Sequence, residues 1–133
     1  MAKKNIATFL GPQSGLSIIG KHAYAYSSAF PANVSSITAL EFTTGNEYIV
    51  GKFNLNSAVQ FDSANIAGTF IQIKLNGEQV AIGFSGNGAN DSPSSLIIKI
   101  LLPPHTHVVV NGWADNDAGA SYANIQFVGD VYE

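Results

Sequence analysis

The feature that most limits what this chain can become is the stretch Thr69 to Phe84, where apolar and polar side chains alternate and the alternation is broken once, at Asn76-Gly77. A period of two puts successive side chains on opposite faces of a strand, and Asn-Gly accepts the positive φ angles of a two-residue type I′ hairpin turn. If Leu75 faces Glu78, then Ile73 faces Val80, Ile71 faces Ile82 and Thr69 faces Phe84, so one face becomes a ladder of apolar pairs. Phe70, Gln72 and Lys74 then lie opposite Gly83, Ala81 and Gln79 on the other face. A slip of one residue exchanges the two faces, so the pattern predicts a firm register.

The same alternation recurs along the chain. Tyr24, Tyr26, Ser28 and Phe30 share a face until Pro31, and Thr38, Leu40 and Phe42 share one before the turn Thr43-Thr44-Gly45-Asn46. Ile49, Gly51, Phe53 and Leu55 line one side of a strand from Tyr48 to Asn56. Leu96 to Leu102, interrupted only by Lys99, reads as a strand buried on most of both faces. Pro103-Pro104 ends it, since neither prolyl nitrogen can donate. A strand from His105 to Trp113, a polar turn from Asp115 to Gly119 and a strand from Tyr122 to Tyr132 complete the pattern. Ser85 to Ser95 reads as a loop, and Asn56 to Ala67 has room for one helical turn. Seven or eight strands with no helical stripe predict an all-β, single-domain antiparallel β-sandwich of the jelly-roll type with little helix. Residues 1–15, ending in the breaker Gly11-Pro12-Gln13-Ser14-Gly15, form an N-terminal arm and 16–133 the domain.

Composition narrows the function classes. A chain of 133 residues has length for one core. Only 11% of its residues are charged, against a usual share of roughly 25%, so little repulsion keeps copies apart and self-association is expected. All six basic residues are lysines, and without Arg there is no bidentate readout of guanine or phosphate, which argues against sequence-specific nucleic-acid binding. With no Cys, disulfides, thiolate catalysis and Cys-bound zinc are excluded. No run approaches the roughly 18 apolar residues of a membrane helix. Lys3-Lys4, the stretch Ile6 to Leu10 and the triplet Ala23-Tyr24-Ala25 imitate a signal peptide, but the Gly-Pro breaker and Lys21-His22 interrupt it, so none is expected.

Reactive constellations are sparse. No Gly-x-Ser-x-Gly elbow occurs, and the possible acid pairs drawn from Glu41, Glu47, Asp62 and Glu78 are scattered, so no catalytic residue, cofactor or enzymatic activity is expected. His105 and His107, at i and i+2 of a strand, form a weak metal candidate, with His22 as a third ligand if its strand lies alongside. Asp115 and Asp117 supply oxygen ligands of the kind calcium takes, but Asp/Asn clusters are also ordinary turn chemistry. Trp113, the single Trp, is the candidate for a sugar-stacking platform, with Tyr122 and also Tyr24, Tyr26, Tyr48 and Tyr132 as its possible companions.

Leu96-Ile-Ile-Lys-Ile-Leu-Leu-Pro-Pro-His-Thr-His-Val-Val-Val, together with the closing Phe127-Val-Gly-Asp-Val-Tyr-Glu, resembles the C-terminal half of small bacteriophage virion proteins of capsid-decoration or penton type. Glu41-Phe-Thr-Thr-Gly-Asn-Glu-Tyr-Ile-Val-Gly is similar to their earlier strands, so the resemblance covers about half the chain. This chain departs from those proteins in its doubled His and in lacking Arg in the closing strand. The resemblance implies a structural protein located in the virion, building or reinforcing a capsid as a homo-oligomer, trimer or pentamer, with other capsid proteins as partners. The alternative drawn from the residues is a carbohydrate-binding, lectin-like β-sandwich.

Overall fold

A computed structural model describes residues 15–27, 30–31, 36–58, 67–87, 93–115 and 122–132. The arm expected at 1–15 lies outside these residues apart from Gly15, as do Asp117 and most of the segment allotted a helical turn. Among the described residues every regular element is a strand: β1 (Ser17–Ile19), β2 (His22–Tyr26), β3 (Phe30–Pro31), β4 (Ile37–Thr43), β5 (Tyr48–Ala58), β6 (Ala67–Leu75), β7 (Glu78–Asn87), β8 (Pro93–Leu102), β9 (His107–Asp115) and β10 (Tyr122–Tyr132). All pairings are antiparallel. One sheet runs β1-β2-β10-β5-β8 with β3 also on β10, and the second runs β4-β9-β6-β7.

The two sheets enclose one apolar core, an arrangement consistent with a β-sandwich. Ile49, Phe53 and Leu55 of β5 and Ala123, Ile125 and Phe127 of β10 are buried, as their alternation predicts. Phe42 reaches across from the second sheet to Phe127, with ring centroids 5.9 Å apart, and Phe53 packs tilted against Phe127 at 4.7 Å.

Two strands depart from simple alternation through β-bulges. In β4 the register shifts between Thr38 and Leu40, so Ala39 and Leu40 are both buried while Thr38 turns outward to Asn111. In the hairpin, Asn76 (φ 51°) and Gly77 (φ 87°) make the expected positive-φ turn. The straight register beyond it does not occur. Val80 is an extra residue, Ile73 pairs with Ala81, Ile71 with Gly83 and Phe70 with Phe84. Ala81 and Gly83 therefore face the core, and Val80, Ile82 and Phe84 face out.

β8 also corrects its expectation. Leu96, Ile98, Ile100 and Leu102 pack inward, but Ile97 and Leu101 are about half exposed, because β8 is an edge strand and only one of its faces meets the other sheet. At one end the chain changes sheet twice, from β4 to β5 and from β8 to β9, and the two crossings are tied together. Thr44, buried, donates its hydroxyl to Pro103 O at 2.6 Å and accepts the Thr106 N–H at 2.8 Å, while Thr44 N–H donates to Thr106 O at 2.9 Å.

Candidate functional site

The candidate sites lie on the outer faces of the two sheets. On the β4-β9-β6-β7 sheet, register brings Trp113, Phe70 and Phe84 into one row across three strands. Trp113 and Phe70 stack with centroids 5.0 Å apart and planes 6° apart, and Phe84 tilts against Phe70 at 4.8 Å. Below this aromatic row lies an amide row. Thr38 Oγ1 donates to Asn111 Oδ1 at 3.2 Å, Asn111 Nδ2 to Gln72 Oε1 at 3.2 Å, and Gln72 Nε2 to Gln79 Oε1. These bonds link all four strands side chain to side chain and tie the sheet together beside the aromatic row. That row continues into β7, where Val80, Ile82 and Phe84 are 49%, 56% and 52% exposed.

The outer face of the other sheet is built differently. Moving across β8, β5, β10 and β2, one row holds Leu101, Val50, Asp130 and His22, and the next holds Lys99, Lys52, Val128 and Tyr24. Gly51 and Gly129 face each other beneath them, and a Cβ on Gly51 would overlap Val128 O and come within 2.8 Å of Gly129 Cα. The backbones approach so closely that no side chain fits, and the surface above them sinks into a cleft of about 500 Å³. Tyr24 and Tyr26, with rings 5.5 Å apart, wall one end of it, and His22 Nδ1 lies 3.0 Å from Asp130 Oδ1 at the rim. None of these residues stood out in the sequence as a group, because they come from four strands far apart in the chain.

The residues singled out from sequence are dispersed. His105 is not on a strand. It sits in the turn after Pro104 with φ 53°, its N–H donating to Gly45 O, so the chain can pass between sheets, and it does not share a strand face with His107. His107 Nε2 is instead 2.7 Å from Glu41 Oε2, and His22 belongs to the other sheet. Asp115 ends β9, and Asp117 is outside the described residues. No group of three His, Asp or Glu side chains suited to a metal occurs among the described residues. Trp113 and Tyr122 lie on β9 and β10, which belong to different sheets.

No family model matches the chain, and no curated protein matches it. The bacteriophage virion and capsid identity implied by the resemblance is therefore corrected, since no relationship carries it. The structure explains the shared wording in local terms. Pro103-Pro104-x-Thr106 is the clasp between two sheet crossings, and Gly129 of the closing Gly-x-Val-Tyr occupies the close approach to Gly51. Both serve the packing of this fold, and neither specifies a virion.

Proposed function

We propose that the protein is a binding and assembly module, a jelly roll that joins further copies of itself through the free edge of β7. The jelly-roll reading rests on strand order. Without β1 and β3, the sheets run β2-β10-β5-β8 and β4-β9-β6-β7, eight strands in two packed four-stranded sheets. The fold alone assigns no activity, so the function is argued from the surface.

The observation that carries the assembly reading is the apolar stretch of the β7 edge beyond Glu78. Between Gln79 and Asn87 it has no charged residue and no Pro, and its outward side chains Val80, Ile82 and Phe84 are half exposed. The other edges carry familiar protections. β1 has three residues, β4 carries Glu41 in its second half, and β8 begins at Pro93 and carries Lys99, whereas β7 has a bulge at Val80 but its one charged residue, Glu78, stands at its first position. A second β7 paired here takes up the outward N–H and C=O groups of this edge and sets its own Val80, Ile82 and Phe84 beside the stripe. A strand paired with its own copy antiparallel is related by a two-fold axis. The assembly is accordingly even-numbered with a dimer as its smallest form, in place of the trimer or pentamer suggested by sequence.

Sedimentation velocity at about 50 µM, well above a micromolar dissociation constant, tests this. The wild type is expected to run as a dimer or larger even assembly, and Ile82→Lys as a folded monomer. A monomeric wild type, or an assembly indifferent to Ile82→Lys, would refute the reading.

A further inference from the structure

The cleft on the opposite sheet carries a separate inference, independent of β7. Lys52 and Lys99 stand directly across from each other on β5 and β8 and both line the cleft. Like charges in this relation destabilise a strand pair, and no carboxylate among the described residues forms an ion pair with either. The one acid on the cleft, Asp130, is engaged by His22. This end of the cleft therefore favours an anionic group.

The other end asks for something else. Tyr24 and Tyr26 present rings tilted by 31° rather than a parallel slot, which seats a puckered apolar face better than a flat base. Beside them the Asp130 carboxylate and the His22 ring accept and donate hydrogen bonds, and a carboxylate there welcomes hydroxyl donors and repels a second acid. From β8 to β2 the cleft crosses three strand spacings, about 14 Å, longer than one hexose ring. Its volume of about 500 Å³ falls in the ordinary range for ligand clefts of roughly 300–1,000 Å³.

We propose that this cleft binds an acidic saccharide, its anionic group between Lys52 and Lys99 and a sugar ring on Tyr24 and Tyr26. The ligand must carry an acid at one end and hydroxyls with an apolar ring face at the other, and an acidic sugar chain combines these. Of the aromatic residues that the sequence offers for a sugar platform, Tyr24 and Tyr26 line this cleft and Trp113 does not. Trp113 has one ring face taken by Phe70, whereas the tyrosines border open cleft.

Calorimetric titration of the full chain with a galactose trisaccharide oxidised to a uronate on one terminal ring, the same trisaccharide left neutral, and inorganic sulfate decides the matter. The uronate is expected to bind at least roughly tenfold more tightly than either control, and Lys52→Gln, Lys99→Gln and Tyr24→Ala each to weaken it roughly tenfold. Both lysine variants should melt no lower than wild type without ligand, because each relieves the like-charge pair; that separates lost binding from lost fold. Absence of uronate binding at about 10 mM, equal binding of the neutral sugar, equal binding of sulfate alone, or indifference to the lysine variants would each overturn the proposal.

Discussion

A Cβ on Gly83 would overlap Leu96 Cδ2 and come within 3.1 Å of Ile98 Cδ1, side chains of the facing sheet, and 3.2 Å of Ile71 Cγ2. Only a residue without a side chain fits this place, and the Val80 bulge puts one there. In the straight hairpin written from sequence, Ile82 would occupy it and be driven into β8. The bulge exchanges the two, at the expense of leaving three large apolar side chains outside. A pair of substitutions separates the registers. Gly83→Val is expected to cost roughly 1–3 kcal/mol by overpacking, and Ile82→Ser, on the outer face, within about 0.5 kcal/mol for the monomer. Urea unfolding at submicromolar concentration, where association does not contribute, reads both. Were the straight register correct, the order of the two effects would be reversed, because Ile82 would be core and Gly83 would face water.

At the scale of elements, the clasp between the two sheet crossings concentrates the hydrogen bonding of one end of the sandwich on Thr44. Its hydroxyl serves Pro103 O and Thr106 N–H at once, within a buried setting. Thr44→Val keeps the shape and removes both bonds, leaving a buried donor and acceptor unmatched. The expected loss is about 2 kcal/mol or more, with Thr44→Ser retaining most of the stability. Equal midpoints for the Val and Ser variants in denaturant would show that the clasp does not depend on the hydroxyl. This element was half legible in advance. Pro103-Pro104 announced the end of β8, and the polar turn after Phe42 announced the end of β4, from local chemistry alone. That the two turns bind each other was not legible, since it depends on both crossings lying at one end. The same contrast holds elsewhere. Asn76-Gly77 and the inner set Ile49, Phe53 and Leu55 are fixed by backbone preference and period and could be read directly. The bulges at Ala39 and Val80 are chosen by the facing sheet, and period counting along one strand cannot see them. The cleft is further still from sequence, because Tyr24, Lys52, Lys99 and Asp130 become neighbours only through three strand pairings.

For the whole molecule, the two outer faces differ in the kind of force they offer, and salt separates them. The β7 edge from Gln79 to Asn87 and the row Phe84, Phe70 and Trp113 carry apolar and hydrogen-bonding surface without a charged side chain. Burial of such surface is not weakened by screening. The cleft face depends on two lysines attracting an anion at an exposed site, where a Debye length of about 8 Å at physiological ionic strength falls to about 3 Å at 1 M salt. Raising salt from about 0.05 M to about 1 M is therefore expected to leave the assembly intact and to weaken uronate binding severalfold or more. Sedimentation and calorimetry on the same preparation follow both quantities. Dissociation of the assembly at high salt would mean that charge, and not the β7 stripe, holds copies together. Salt-independent uronate binding would mean that the tyrosine seat works without the lysines. With 11% charged residues in the chain, most of the surface offers neither kind of attraction, so the two faces can be told apart without altering the rest of the molecule.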